Sequence, residues 1–216
     1  MNRAIDQPSP DSTLDPSGVA EAVAVIRGGG VAAFPTDTFY GLGVDPFNEK
    51  AVEALFSVKG RSAGSPVPLL IASPGDLKKV ALSAPDGAAA LAGVFWPGAL
   101  TLVLEAVAGL PCAVSAGTGT VGGRVPDHPV PRAIARAMKG PITGTSANPS
   151  GEPPMKTAGE VRSVFGDTLG FVLDGDCGAH DAPSTVVDFT VEPPMVRRHG
   201  AITLEALRKV CPAIAG

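Results

Sequence analysis

The sequence predicts an α/β protein in the mixed α+β sense, with a sheet surrounded by helices. Short apolar or β-branched runs and helix patterns follow one another irregularly, which favours a mixed sheet over a sandwich or a bundle. The 27 glycines and 22 prolines fall mostly between these elements, where they mark tight loops around a rigid sheet. With 216 residues, the chain is long enough to bury a substantial core, and we expect one domain.

Helix starts are marked by an oxygen-bearing capping residue, by a proline at the first helical position or by an apolar stripe. These signals predict helices that begin at Asp15-Pro16, Asn48, Ser73-Pro74, Ala88, His128-Pro129, Ala158 and Thr203. Residues 1–14 are polar and lack periodicity, so we expect a flexible N-terminal tail there. The remaining residues, 15–216, form the predicted domain.

Strands are predicted where short apolar or β-branched runs lie between turn signals. Such runs cover residues 31–34, 67–72, 100–105, 117–126, the residues after Pro141, 170–173 and 184–190. The first run follows a glycine cluster and precedes Pro35, which predicts a buried strand that delivers a polar loop.

That loop, Thr36-Asp37-Thr38, carries three small oxygen-bearing side chains. Gly41 and Gly43 follow it, and we expect them to let the backbone turn tightly or approach a ligand. The same residue types also form Asx and ST turns. A binding site and a local turn therefore both stay open for this loop.

Four segments have a similar composition. Each combines hydroxyl-bearing or cationic residues with glycine or proline, at the end of a predicted strand or helix. They are PTDT (35–38), KGR (59–61), TVGGR (120–124) and TSANPSG (145–151). Together they predict an anion-binding cleft whose cations are Lys59, Arg61, Arg124 and Arg198. The competing interpretation of each cation is a solvated surface charge.

The common phosphate-binding and catalytic motifs do not explain these segments. No G-x-x-x-x-G-K-[ST] match occurs, and GTGTVG at 117–122 lacks the strand, helix and acidic residue of a dinucleotide site. The three histidines form no H-E-x-x-H pattern, so structural or surface roles are favoured. Ser146 has no G-x-S-x-G context, which argues against a hydrolase nucleophile.

Composition limits the cellular setting. No apolar run is long enough for a membrane span, and the N-terminus lacks the apolar core of a secretory signal, so we expect a cytoplasmic protein. The distant cysteines, Cys112, Cys177 and Cys211, show no zinc or disulfide spacing and should be buried thiols. A formal charge of -4 argues against general nucleic-acid coating, although it leaves room for a local basic pocket.

In order along the chain, these segments resemble the YrdC/TsaC family of threonylcarbamoyl-AMP synthases, in a short form without an extra C-terminal domain. The motifs are FPTDTFYGLG (34–43), KGR (59–61), WPGALTLVL (96–104), GTVGGRVPDHP (119–129), PITGTSANPSGEP (141–153), STVVD (184–188) and RHGAIT (198–203). The resemblance implies a twisted mixed sheet with helices around a large concave pocket. It also implies condensation of L-threonine, bicarbonate and ATP to threonylcarbamoyl-adenylate and pyrophosphate.

The resemblance further implies a role for particular residues. The ATP-binding set is Lys59, Arg61, Thr120, Ser146, Asn148 and Arg198, of which Lys59 and Arg61 also act in catalysis. The threonine-binding set is Thr36, Arg124 and Ser184, with Arg124 meeting the substrate carboxylate. Mg2+ would be held mainly by ATP oxygens, so we expect no metal site of the protein itself.

The family's product is used by a separate complex to modify tRNA, which makes a tRNA threonylcarbamoyl-transferase complex the expected partner. Two other functions stay open. One is a carbamoyl-adenylate-forming module like that of hydrogenase-maturation carbamoyltransferases, whose zinc-finger cysteine pairs this chain lacks. The other is an RNA-binding module or a weak RNA contact, which the net charge and the single Trp and Tyr oppose.

Overall fold

The computed structural model describes residues 15–61 and 64–216. The predicted flexible tail, residues 1–14, lies outside the described residues. Among the described residues, no helix combines the length and the apolar character that crossing a membrane requires.

The helices follow the predicted order closely. They are α1 (Pro16–Arg27), α2 (Glu49–Lys59), α3 (Asp86–Phe95), α4 (Cys112–Ser115), α5 (Pro129–Met138), α6 (Ala158–Phe165) and α7 (Leu204–Val210), with 3-10 helices at Pro74–Lys79 and Gly166–Thr168. The Asp15 side chain accepts the Ser17 N–H and Asn48 accepts the Ala51 N–H, so both predicted caps are confirmed. The Ser73-Pro74 signal starts a 3-10 helix rather than an α-helix.

The strands are β1 (Ala32–Phe34), β2 (Gly41–Gly43), β3 (Leu69–Leu70), β4 (Leu100–Glu105), β5 (Thr120–Arg124), β6 (Ile142–Thr143), β7 (Thr145–Ser146), β8 (Phe171–Val172), β9 (Thr185–Asp188) and β10 (Met195–Arg198). The mixed α/β class is confirmed. The strands divide into two sheets, however, whereas the sequence predicts one. A four-stranded sheet has the order β7-β2-β1-β8, and a six-stranded sheet has the order β10-β9-β4-β5-β3-β6.

Both sheets mix parallel and antiparallel pairs. In the smaller sheet, β1 pairs antiparallel with β2 and parallel with β8. In the larger sheet, β4 pairs antiparallel with β5 and parallel with β9. The polar loop at 36–38 joins β1 to β2, and Arg124 ends β5, so the two sheets deliver these predicted site residues from strand ends.

The chain passes from one sheet to the other at Gly144. β6 on its N-terminal side belongs to the larger sheet and β7 on its C-terminal side to the smaller one. A Cβ atom at position 144 would lie 2.3 Å from Cγ of Leu70, far inside van der Waals contact. The absence of a side chain at this position therefore allows the chain to pass close to Leu70 of β3 as it crosses between the sheets.

Gly41 and Gly43 lie in β2 and not in a turn, so the turn alternative is wrong, while close approach to a ligand stays a prediction. A Cβ atom on Gly43 would lie 2.5 Å from the Phe34 ring. These glycines therefore permit close strand packing, a use of glycine that sequence alone does not separate from a turn. The expectation for the thiols is wrong at Cys112, which is exposed, while Cys211 is buried and Cys177 lies between.

Two hydrophobic clusters support this arrangement. The larger one includes Tyr40, Leu55 and Leu102 and involves residues of both sheets. The smaller one includes Ile26 of α1, Phe34 of β1 and Ile134 of α5. Ala33 belongs to the larger cluster and Ala32 and Phe34 to the smaller one, so β1 is packed on both faces and holds the 36–38 loop on a rigid frame.

Candidate functional site

A concave cavity of about 410 Å³ collects most of the predicted site residues. It is lined by strand ends and loops of both sheets. The predicted site residues that line the cavity are Thr36, Arg61, Thr120, Arg124, Ser146, Ser184 and Arg198. Lys59 and Asn148 do not line it, and they lie in an adjoining open concavity that also includes Arg61 and Ser146.

The 36–38 loop is both an ST turn and part of the cavity wall, so neither of the two interpretations excludes the other. The Thr36 hydroxyl donates to the Phe39 carbonyl oxygen at 2.7 Å and accepts the Thr38 N–H at 3.1 Å. Its oxygen also lies 3.2 Å from the Thr38 hydroxyl. Because its only proton is given to the backbone, the Thr36 hydroxyl in this state can offer a ligand no donor.

Arg124 is held by two oxygen acceptors of the protein. Its Nε donates to the Gly98 carbonyl oxygen at 2.9 Å, and its Nη2 donates to Oδ2 of Asp37 at 2.6 Å. Guanidinium has five N–H groups, so both N–H groups of Nη1 and one of Nη2 are left for a ligand in the cavity. Its ion-pair partner is the buried Asp37, so Arg124 is not the solvated surface charge of the competing interpretation.

Arg198 and Ser184 form a second corner of the cavity. Arg198 donates from Nε and Nη2 to the Ser184 carbonyl oxygen at 3.0 and 2.9 Å, and from Nη2 to the Ser184 hydroxyl at 2.9 Å. The Ser184 hydroxyl in turn lies 2.9 Å from that of Thr101. Arg124 and Arg198 line the same cavity, and burial and then the charge of Arg124 lower the pKa of Arg198.

Arg61 joins the cavity to the adjoining concavity. Its Nη1 donates to the Thr145 hydroxyl at 3.3 Å and its Nη2 to the Pro66 carbonyl oxygen at 3.0 Å. Burial lowers its pKa. None of its acceptors is a carboxylate, so its positive charge is not neutralised by an ion pair within the described residues.

Lys59 differs from the expected ligand-facing cation. Its side chain is buried, and its ammonium donates to the carbonyl oxygens of Ser146 and Asn148 and to Oδ1 of Asn148. These acceptors use all three of its N–H donors. Burial and then the charge of Arg61 lower the pKa of Lys59 to about 8. Lys59 therefore fixes the 146–148 loop through these hydrogen bonds and does not face the cavity.

The remaining predicted residues make local contacts. Ser146 donates from its hydroxyl to Oδ1 of Asn148 at 2.6 Å, and the Asn148 amide donates to carbonyl oxygens of Pro149 and Glu152. The Thr120 hydroxyl lies 2.8 Å from that of Thr118. Thr120 and Ser146 still line the cavity, whereas Asn148 acts within the loop.

Sequence reasoning gives no individual role to several residues that line the cavity. Arg197 lines it beside Arg198, and Thr38 and Thr145, which lie within the predicted segments 35–38 and 145–151, add hydroxyls. An apolar part of the wall comes from Val67, Leu70, Val103 and Val186. Arg197 and Thr145 adjoin predicted residues, so the motif boundaries could have suggested them, but the apolar wall follows only from the strand order.

The histidine prediction is confirmed at His128, which serves the fold. Its Nδ1 accepts the Val130 N–H at the start of α5, and its Nε2 lies 3.0 Å from the Asp176 carbonyl oxygen. Burial lowers the pKa of His128. Neutral imidazole with its proton on Nε2 satisfies both contacts.

No carboxylate lines the cavity within residues 15–61 and 64–216. Over the same residues, no group of three or more His, Cys, Asp or Glu side chains could hold a metal ion. The lining instead offers guanidinium groups, hydroxyls and apolar side chains. This set suits an anionic ligand that carries its own metal-binding oxygens.

Comparisons with known proteins agree with this geometry. The family model described as Sua5_yciO_yrdC, telomere recombination, matches residues 24–200. A Mycobacterium tuberculosis relative is 40% identical over 193 residues, which cover 89% of this chain and 88% of the relative. A Halorhodospira halophila protein named threonylcarbamoyl-AMP synthase is 37% identical over 173 residues, covering 80% of this chain and 91% of that protein.

The fold also matches a solved structure, that of Pyrococcus abyssi Sua5 complexed with L-threonine. The TM-score is 0.87 at 37% identity, over 91% of this chain and 58% of that chain. This protein therefore corresponds to little more than half of the Pyrococcus protein. Because the family model and the relatives match most of its length, the chain belongs to the Sua5/YciO/YrdC family.

Proposed function

We propose that the protein is an L-threonylcarbamoyladenylate synthase, a nucleotidyltransferase that condenses L-threonine, bicarbonate or CO2, and ATP. The observation that carries the proposal is a single cavity lined by Arg61, Arg124 and Arg198 and, within the described residues, by no carboxylate. Such a lining suits a triphosphate and an amino-acid carboxylate together. The name of the Halorhodospira relative and the threonine complex of Pyrococcus Sua5 support the same substrates.

The cavity offers different chemistry for the two larger substrates. Arg124 and Ser184, with the 36–38 loop, form the side that we assign to threonine, and the free N–H groups of Arg124 would take its carboxylate. Arg61, Thr120, Ser146 and Arg198 would contact the nucleotide. The apolar side chains of the wall would contact the methyl group of threonine. This contact should favour binding of threonine over serine by about 1 kcal/mol.

The reaction requires no protein nucleophile. The neutral amine of threonine attacks CO2 and, after losing a proton, becomes a carbamate. A carbamate oxygen then attacks the α-phosphorus of ATP, the bond to the bridging oxygen breaks, and pyrophosphate leaves. The chain's part is to hold the reactants together and to stabilise the negative charge of the transition state with its guanidinium groups.

Mg2+ would enter with ATP as part of the substrate. The cavity lining fits this arrangement, because its hydroxyls and cations provide no carboxylate set for an ion of the protein's own. Mg2+ would neutralise phosphate charge. Lys59 and Asn148 would then support the nucleotide side by shaping the 146–148 loop, with the Lys59 charge close to it.

We propose that the product passes, in the cytoplasm, to a tRNA threonylcarbamoyl-transferase complex. Threonylcarbamoyl-adenylate is a mixed anhydride and therefore an activated acyl donor. A receiving enzyme can transfer the threonylcarbamoyl group and release AMP. A direct contact of this chain with RNA would be seen as RNA retention that falls steeply with salt.

Pyrophosphate release from ATP, with each component omitted in turn, tests the proposal. Release should require L-threonine, bicarbonate and Mg2+ together, because the carbamate nucleophile exists only when both small reactants are present. Equal release without threonine would overturn the synthase function. Release with carbamoyl phosphate in place of threonine would instead favour a carbamoyl-adenylate module. RNA retention that falls steeply with salt, without threonine-dependent release, would favour the RNA-binding module.

A further inference from the structure

The side chain of Asp37 lies against Arg124 but does not line the cavity. The Asp37 carboxylate is 4% exposed and the Arg124 side chain 8% exposed, with Oδ2 and Nη2 2.6 Å apart. The second acceptor, the Gly98 carbonyl oxygen, binds Nε. Two contacts to different atoms of a planar group fix both its position and its orientation.

We propose that Asp37 is a positioning residue for substrate recognition, which holds Arg124 so that its remaining N–H groups meet the threonine carboxylate. This inference rests on the proposed function, because it takes Arg124 as the partner of that carboxylate. Nη1 has both of its N–H groups free of protein acceptors, and Nη2 has one. These two nitrogens can form a bidentate pair with a carboxylate while the opposite edge stays bound to the protein.

The details of the pair indicate a functional constraint rather than a gain in stability. Oδ1 of Asp37 is buried and is the one buried side-chain N or O atom of the described residues without a hydrogen-bond partner. A buried ion pair offsets its desolvation only when its other polar atoms are also satisfied. An arrangement with an unpartnered carboxylate oxygen is therefore a poor device for stability alone.

Asp37 is itself fixed by a segment that is distant in sequence. The Gly178 N–H donates to the Thr36 carbonyl oxygen at 2.9 Å. A Cβ atom at position 178 would lie 2.7 Å from the Asp37 carbonyl oxygen and 2.8 Å from its Cα. The Tyr40 hydroxyl lies 2.8 Å from the Gly175 carbonyl oxygen and 3.1 Å from that of Leu173, and its single proton is directed at this pair of acceptors. The loop that carries Asp37 therefore has little room to move away from Arg124.

The test uses the full chain and compares Asp37→Asn with Asp127→Asn, which removes an exposed carboxylate that follows Arg124 closely in the sequence. Steady-state kinetics give KM for threonine and for ATP separately, and the Arg124→Ala and Asp37→Asn/Arg124→Ala proteins complete a double-mutant cycle. We expect Asp37→Asn to raise KM for threonine by about 10-fold or more and to leave KM for ATP within about 2-fold. Asp127→Asn should match the wild type.

The cycle separates positioning from a general effect on the fold. If Asp37 acts through Arg124, adding Asp37→Asn to Arg124→Ala should not raise KM for threonine further. A parallel rise in both KM values, an additive effect in the double variant, or a loss of folded Asp37→Asn protein would overturn the inference. If the wild type shows no threonine-dependent release, the proposed function fails as well. Wild-type threonine kinetics in Asp37→Asn would overturn this inference alone.

Discussion

At the residue scale, Lys59 and Arg61 have opposite surroundings although one residue separates them. Lys59 is 4% exposed and bound to three oxygens of the 146–148 loop, while Arg61 lines the cavity. Gly60 between them has φ of 57° and ends α2, so the chain turns sharply there. The sequence indicates a basic pair at a helix end, but only the packing shows which cation faces a ligand.

This difference in burial predicts that substitution of the two residues affects stability unequally. Lys59→Ala should lower the free energy of unfolding by about 2 kcal/mol, because three acceptors lose their donor in a buried place. Arg61→Ala should change it by less than about 1 kcal/mol while weakening nucleotide binding. Urea unfolding and nucleotide titration of both variants measure the two effects. Equal stability losses would contradict the burial contrast.

The burial of Lys59 also predicts a dependence of stability on pH. The folded protein releases the Lys59 proton near pH 8, whereas an unperturbed lysine holds it to 10.5. Between these values the unfolded chain binds more protons, so a rise in pH favours the folded state. The unfolding free energy of the wild type relative to Lys59→Met should rise by about 3 kcal/mol over this window. A difference that stays flat with pH would contradict a lowered pKa.

Arg124 allows a test of recognition by geometry against recognition by charge. Lysine keeps the positive charge, but it lacks the planar guanidinium and cannot bind Gly98, Asp37 and a substrate carboxylate at the same time. Threonine affinity of Arg124→Lys should therefore fall by about 10-fold or more, with ATP affinity nearly unchanged. Calorimetric titration with each substrate separates the two, and unaltered threonine affinity would show that this side chain does not clamp the substrate.

At the scale of elements, Gly144 predicts a specific failure. Alanine there would bring a Cβ atom within 2.3 to 2.7 Å of three atoms of Leu70, a side chain that also lines the cavity. Gly144→Ala should lower the free energy of unfolding by about 2 kcal/mol, as overpacking does. Gly93→Ala is the matched control, because position 93 lies in α3 with open space around its Cβ. It should stabilise the protein by about 0.5 to 1 kcal/mol. Thermal unfolding of both variants compares them, and a neutral Gly144→Ala would contradict the close approach of the crossing chain to Leu70.

Elements whose signals are local were predicted from the sequence. β4 and α6 have the predicted bounds, and Thr157 with Glu160 forms a capping box before α6. β2 and α4 were not predicted, because two glycines do not indicate a strand and a helix of four residues carries too little periodicity. The predicted strand at 67–72 pairs only over β3.

At the scale of the whole molecule, the sequence predicts the mixed class and the set of cavity residues but not their partners. The pairing of Asp37 with Arg124 spans 87 positions, and the pairing of Lys59 with Ser146 also spans 87. Local patterns carry no information on such distant contacts. The division into two sheets is likewise set by the crossing at Gly144, which no periodicity indicates.

The central claim is that the carbon of bicarbonate becomes the carbonyl that joins threonine to AMP. Mass spectrometry of the product formed from isotopically labelled bicarbonate, L-threonine and ATP tests it most directly. The account predicts threonylcarbamoyl-adenylate that carries the label, formed in step with pyrophosphate and absent without threonine. Pyrophosphate without this adduct, or an adduct that carries no label, would contradict the account.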